Sequence, residues 1–216
     1  MADKIATTSW TYADKESWIK PLPKSQSPIN IVTREAEPMI GDGRIVLNYG
    51  HQVTSVTDSD NHLEGTLKGL ASINGRPFFL SQFHFHASAE HTIDGVFYPL
   101  ELHLVHESQV GMLAVIAVTF EFGEENETLN ELLDFMNHSN EDNHINILNL
   151  IPETLDYYHY LGSLTTPPLT ENVEWYVLIE KMTLSKDQWQ RITSFHDHNF
   201  RDPQDLNNRK VLKKIF

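Results

Sequence analysis

The stretch Gln82-Phe83-His84-Phe85-His86 alternates polar and aromatic residues one by one. Successive side chains of a strand point to opposite faces. Phe83 and Phe85 therefore share one face, which reads as core, while Gln82, His84 and His86 share the other. Another histidine, His103, stands in Glu101-Leu102-His103-Leu104, with Glu101 and His103 on one face and the leucines on the opposite one. If the two strands are neighbours, His84, His86 and His103 close on a single ion. Three neutral imidazoles with an open fourth position describe a catalytic zinc site, because a structural site uses four protein ligands. The open position holds water, and the ion makes hydroxide available near neutral pH. Gln82 and Glu101 each lie two residues before a histidine on the same face, so either can hold the second nitrogen of an imidazole. Spacing leaves open whether each serves its own neighbour along the strand or a ring across the sheet. His91 and His106 read as buried structural histidines, His196 and His198 as exposed ones near a helix end.

These residues must be held by a scaffold that the rest of the chain supplies. Its 216 residues, 40% hydrophobic and 21% charged, suit one domain, 1–216, with a sizeable core. The formal net charge of −14 leaves no basic footprint for nucleic acid. With no cysteine, disulfides, thiolate metal sites and cysteine nucleophiles are all excluded, so a metal must be held by His, Asp or Glu. No run approaches the length of apolar sequence that membrane insertion requires. The N-terminus lacks an apolar signal region, so the expected location is cytoplasmic, with a periplasmic or secreted product whose leader was removed as the alternative.

Residues 1–40 read as an irregular N-terminal arm packed on the domain, since Pro21, Pro23 and Pro28 crowd one short stretch. Strand-like alternation follows over 44–48, 51–57, 62–70, 78–86 and 98–106. The run 112–122 is apolar for most of its length and reads as a central strand, and 173–180 as a buried one. Helical spacing appears over 127–138, through Leu129, Leu132, Leu133 and Met136. It recurs over 185–195, where Ser185 and Gln188 have capping-box spacing and Trp189, Ile192 and Phe195 form a stripe. The balance is a β-dominated α+β fold.

In this order and at these separations, QFHFH (82–86), AEH (89–91), ELHLVH (101–106) and SLTTPPLTENVEW (163–175) resemble the α-class carbonic anhydrases. WTY (10–12), QSPINI (26–31) and LNYGH (47–51) extend the resemblance over nearly the whole chain, and the short loops favour a bacterial member. It implies a large, mostly antiparallel twisted sheet with a few short peripheral helices. It also implies reversible hydration of carbon dioxide to bicarbonate by zinc-bound hydroxide. That family is itself the reference case for a zinc-bound water with a pKa of roughly 7. Carried over, zinc sits on His84, His86 and His103, with Gln82 holding His84 and Glu101 holding His103. Thr165 accepts the proton of the hydroxide and donates its own to Glu90, a positioning device. Thr166 lines the bicarbonate side, and Val105, Val115, Leu164 and Trp175 form the apolar wall for carbon dioxide. Tyr12 and His51 belong to the proton path, with His51 as shuttle. Bacterial members often form dimers, so the resemblance allows a homodimer, though no stretch of the sequence identifies an interface.

The chain departs from the family in places. Ala87-Ser88-Ala89 precede Glu90 where many members carry Pro and Ser, and Tyr49 and Thr54 stand where many animal members carry asparagines that hold shuttle waters. Two other readings compete. A cupin-type metal protein would use HFHASAE (84–90) with Glu90 as a ligand, but no second cupin motif follows, and SLTTPPL is left unexplained. An inactive, carbonic-anhydrase-like binding module would normally lack a ligand histidine, and here all three are present.

Overall fold

A computed structural model describes residues 10–18, 25–59, 61–137 and 143–216. Its strands are β1 (Asn30–Ile31), β2 (Glu37–Pro38), β3 (Ile45–Asp58), β4 (Leu63–Ile73), β5 (Arg76–His86), β6 (Thr92–Ile93), β7 (Leu100–Glu107), β8 (Leu113–Phe122), β9 (Tyr157–Ser163), β10 (Glu171–Leu178), β11 (Met182–Leu184) and β12 (Leu212–Lys214). The helices are α1 (Glu127–Asn137) and α2 (Lys186–Thr193), with short 3-10 turns beside them. Ten strands form one twisted, mixed sheet in the order β2-β12-β9-β10-β8-β7-β5-β4-β3, with β11 paired to β8. The run from β8 to β3 is antiparallel throughout, whereas β10 joins β8 in parallel. Within the described residues no helix is long and apolar enough to cross a membrane.

The apolar run 112–122 does become a central strand, flanked by β7 and β10. Its side chains divide between two cores. Ala114, Ile116, Val118 and Phe120 join the larger one, which also takes Phe78, Leu80, Phe83 and Phe85 of β5 and the apolar faces of α1 and α2. Val115 and Ala117 join a smaller cluster with Val173, Trp175 and Val177 of β10. A register shift between Leu80 and Gln82 lets Phe78 and Leu80 share the core side with Phe83 and Phe85, despite their different parity. The expected strands 44–48 and 51–57 are one strand, β3, with an irregularity between Tyr49 and Val53 that takes in Gly50-His51-Gln52.

Helix α2 starts as its spacing predicts: Ser185 caps Gln188 N, and Gln188 Oε1 accepts from Ser185 N. It ends at Thr193, so Phe195 packs on the core from beyond the helix. For α1, Asn126 Oδ1 accepts from Thr128 N and Leu129 N. Met136 packs against the core, and His138, the last residue of the predicted helix, lies outside the described residues. So do residues 1–9 and 19–24 of the predicted arm.

Candidate active site

Antiparallel pairing of β5 with β7 sets His84 directly opposite His103 and His86 opposite Glu101. All three imidazoles are buried, and one nitrogen from each lies within 4.8 Å of the others. The other nitrogens are occupied. Gln82 Oε1 accepts from His84 Nδ1 at 2.8 Å, and Glu101 Oε1 from His103 Nε2 at 2.8 Å. The carbonyl of Asn199 accepts from His86 Nδ1 at 2.7 Å. This leaves His84 Nε2, His86 Nε2 and His103 Nδ1 to converge, and His86 Nε2 is buried without any hydrogen-bond partner. Three imidazole lone pairs with their second nitrogens tied down fit a zinc-type ion.

Burial pushes the pKa of His84 well below its ordinary value, that of His86 to about 4 and that of His103 downward, so all three are neutral. Burial pushes the Glu101 carboxyl up, but His91 and His103 beside it hold it well below the usual carboxylate range. Glu101 is a hub. Its Oε2 accepts from the backbone N–H groups of Glu90 and His91 at 2.8 Å each, and its Oε1 lies 2.6 Å from His91 Nδ1. His91 Nε2 in turn meets the Tyr160 hydroxyl at 2.7 Å, and that hydroxyl donates to Ser27 Oγ at 2.9 Å.

Glu90 is fully buried on the same side. Its Oε1 accepts from Arg201 N at 2.8 Å, while Oε2 has no protein partner and lies 3.6 Å from His86 Nε2 and 4.0 Å from His103 Nδ1. Burial pushes its carboxyl up, opposed by His103, the Thr165 hydroxyl and the Arg201 amide. Thr165 is buried and Thr166 half-buried, in the loop after β9. Val105, Val115 and Trp175 lie in register: Val105 pairs with Gln82 and with Val115, and Val115 with Trp175, a row across four strands. Leu164 packs on the same cluster.

The proton-path residues are placed differently. His51 is exposed in the irregular stretch of β3. The Tyr12 hydroxyl stands 3.5 Å from His86 Nδ1, in an arm tied down by the Lys15–Asp202 ion pair. Tyr49 turns into the larger core, where its hydroxyl lies 2.6 Å from His106 Nε2, so it does not occupy the metal face. The expected exposure of His196 is corrected: it is half-buried, with Nε2 2.6 Å from Asp58 Oδ1, whereas His198 is exposed.

Sequence reasoning missed Asn199, Arg201, Tyr160 and Ser27, which sit in stretches without periodic signal. It also missed His62, whose ring packs 4.7 Å from that of His84 while its Nε2 lies 3.2 Å from Glu64.

Residues 10–215 match the model of the eukaryotic-type carbonic anhydrases. A carbonic anhydrase of Klebsiella pneumoniae is 38% identical over 202 residues, covering 88% of this chain and 80% of the relative. One from Nostoc is 31% identical over 98% of this chain and 88% of its own. Among solved structures, the α-carbonic anhydrase of Thermovibrio ammonificans, in complex with sulfanilamide, superimposes with a TM-score of 0.84 at 34% identity over 89% of this chain and 88% of that one. These likenesses leave no place for the cupin reading: the chain belongs to the α-class, eukaryotic-type carbonic anhydrase family, and its reaction is the hydration of carbon dioxide.

Proposed function

We propose that the chain hydrates carbon dioxide reversibly with one zinc ion held by His84 Nε2, His86 Nε2 and His103 Nδ1. The observation that carries this is the convergence of three buried, neutral imidazoles whose second nitrogens are all engaged. When bound, zinc supplies the Lewis acidity that makes water nucleophilic near neutral pH. The chain's own residues then do the positioning. Glu90 accepts the Thr165 hydroxyl proton, so Thr165 presents only lone pairs to the reacting oxygen. That oxygen must donate its hydrogen to Thr165, which turns a lone pair toward the carbon. Val105, Val115, Leu164 and Trp175 give a neutral, poorly hydrated molecule an apolar seat, and Thr166 borders the product side. Tyr12 and His51 serve the departure of the proton, with His51 as the exchanging group.

Metal analysis with stopped-flow hydration tests this. About one zinc per chain is expected. His103→Ala should lose both the metal and the activity. A His103→Ala protein that is metal-free and fully active would overturn the assignment.

A further inference from the structure

Gln26 is 1% exposed, and its two ends reach different halves of the site. Nε2 donates to the carbonyl of Leu169 at 3.3 Å and to Glu171 Oε1 at 3.1 Å. Oε1 accepts from Arg201 Nη1 at 2.9 Å. Leu169 and Glu171 lie on the far limb of the loop that carries Thr165. That loop is closed by Leu164 N to Thr170 O and Leu169 N to Thr166 O, both 2.9 Å. Arg201 supplies the backbone N–H that holds Glu90. One buried amide thus joins the Thr165 loop to the segment that fixes Glu90.

A second observation points the same way. Leu169 is buried with φ at 61°, the left-handed region, which costs a residue with a side chain free energy and persists only where the surroundings impose it. The Gln26 bond to the Leu169 carbonyl is one of the restraints that impose it. Ser25 N adds another by donating to Glu171 Oε1 at 3.0 Å.

We propose that Gln26 is a positioning residue for the Thr165–Glu90 pair, setting the Thr165 loop against the Glu90 carboxylate. This rests on the reading of Thr165 and Glu90 given above. The hydrogen bonds of the amide go to Leu169, Glu171 and Arg201 and not to an imidazole, so its effect on the reaction passes through the Thr165–Glu90 pair. A displacement of a positioning group by a fraction of an ångström lowers the rate without lowering metal affinity.

The test measures zinc content, thermal midpoint, kcat and KM for the wild type, Gln26→Ala, Thr165→Ala and the double variant. Gln26→Ala should keep its zinc and lose about tenfold in kcat/KM. The double variant should be no slower than Thr165→Ala, because the Gln26 effect has nothing left to act through. Gln26→Glu keeps the acceptor for Arg201 and loses the donor to Leu169, and it should repeat the loss; if Gln26→Ala does not fold, this variant decides. Wild-type kcat/KM in the folded Gln26 variant, or losses that multiply in the double variant, would overturn the proposal alone. A Thr165→Ala protein as active as the wild type would overturn the relay reading and this proposal with it.

Discussion

His84, His86 and His103 are held neutral by burial, and each is oriented by an acceptor of a different kind: a side-chain amide, a backbone carbonyl and a carboxylate. A cation entering there meets lone pairs rather than protons. His51 is the opposite case, an exposed imidazole on an irregular strand segment. As the proton exchanger proposed above it would need contact with solvent, which its exposure provides. Proton export does not involve carbon dioxide, so its loss can limit kcat while leaving kcat/KM intact. His51→Ala should therefore show reduced kcat in dilute buffer and recovery in concentrated imidazole, with kcat/KM unchanged throughout. Wild-type kcat at low buffer would mean that protons leave elsewhere. The histidine triad and its Gln82 and Glu101 partners were legible because a period of two fixes which side chains share a face. Asn199 was not, because it acts on His86 through its backbone carbonyl, a group that every residue carries. The hub role of Glu101 was half legible: spacing puts it on the imidazole face and the family resemblance names His103 as its partner, but its bonds to the backbone of Glu90 and His91 depend on how the chain folds back after β5.

Strands β5 and β7 carry the imidazoles and β8 lies beside β7, and these three are the elements the sequence announces most clearly, through alternation in the first two and a mostly apolar run in the third. Strand β9 was missed because Tyr157-Tyr158-His159-Tyr160 alternates weakly, and β1, β2, β6, β11 and β12 were missed because each has only two or three residues. The two segments of β3 were read as separate strands because Gly50 looks like a break, whereas the sheet absorbs it as an irregularity. Cross-strand packing adds a constraint that no pattern announces. Gly65 of β4 pairs with Phe83 of β5, and a Cβ there would fall 2.0 Å from Phe83 Cζ. Phe83 is buried in a packed core, so a ring displaced by that Cβ has little room to turn aside and pushes on the strand that bears two of the imidazoles. Gly65→Ala should destabilise the fold by about 1–3 kcal/mol, the usual cost of overpacking. It should also weaken zinc retention against a chelator, although residue 65 touches no imidazole nitrogen. Unchanged unfolding free energy and zinc affinity would show that Phe83 can swing aside freely.

At the scale of the whole molecule, the sheet must keep β5 and β10 in a fixed relation, because one bears the imidazoles and the other Trp175. Two strands lie between them in the sheet, and a second tie bridges that gap at the far end of β5. Arg76 grips Glu174 of β10 with both terminal guanidinium nitrogens, at 2.8 and 2.6 Å, and the Tyr176 hydroxyl donates to the same carboxylate at 2.5 Å. Neither partner stands out in the sequence, since the pair is separated by 98 positions and joins strands that are not neighbours. Burial pushes the Glu174 carboxyl up, but Arg76 and Tyr176 outweigh it and hold the folded pKa below the ordinary carboxylate value. The folded protein therefore gives up this proton more readily than the unfolded chain does. The stabilisation is fully present above the unfolded value, about pH 4.3, and is lost as the pH falls through the lower folded pKa. The Arg76 side chain is 39% exposed, so solvent screening limits the pair's contribution. Arg76→Met should lower the unfolding free energy by about 1–2 kcal/mol at pH 7. Urea unfolding at a series of pH values should then find the gap to the wild type constant down to about pH 5 and narrowing below about pH 4. A gap that stays the same at low pH would mean that Arg76 stabilises the sheet through its guanidinium over the Phe78 ring, whose centroid lies 5.5 Å from the guanidinium carbon, and not through the Glu174 carboxylate.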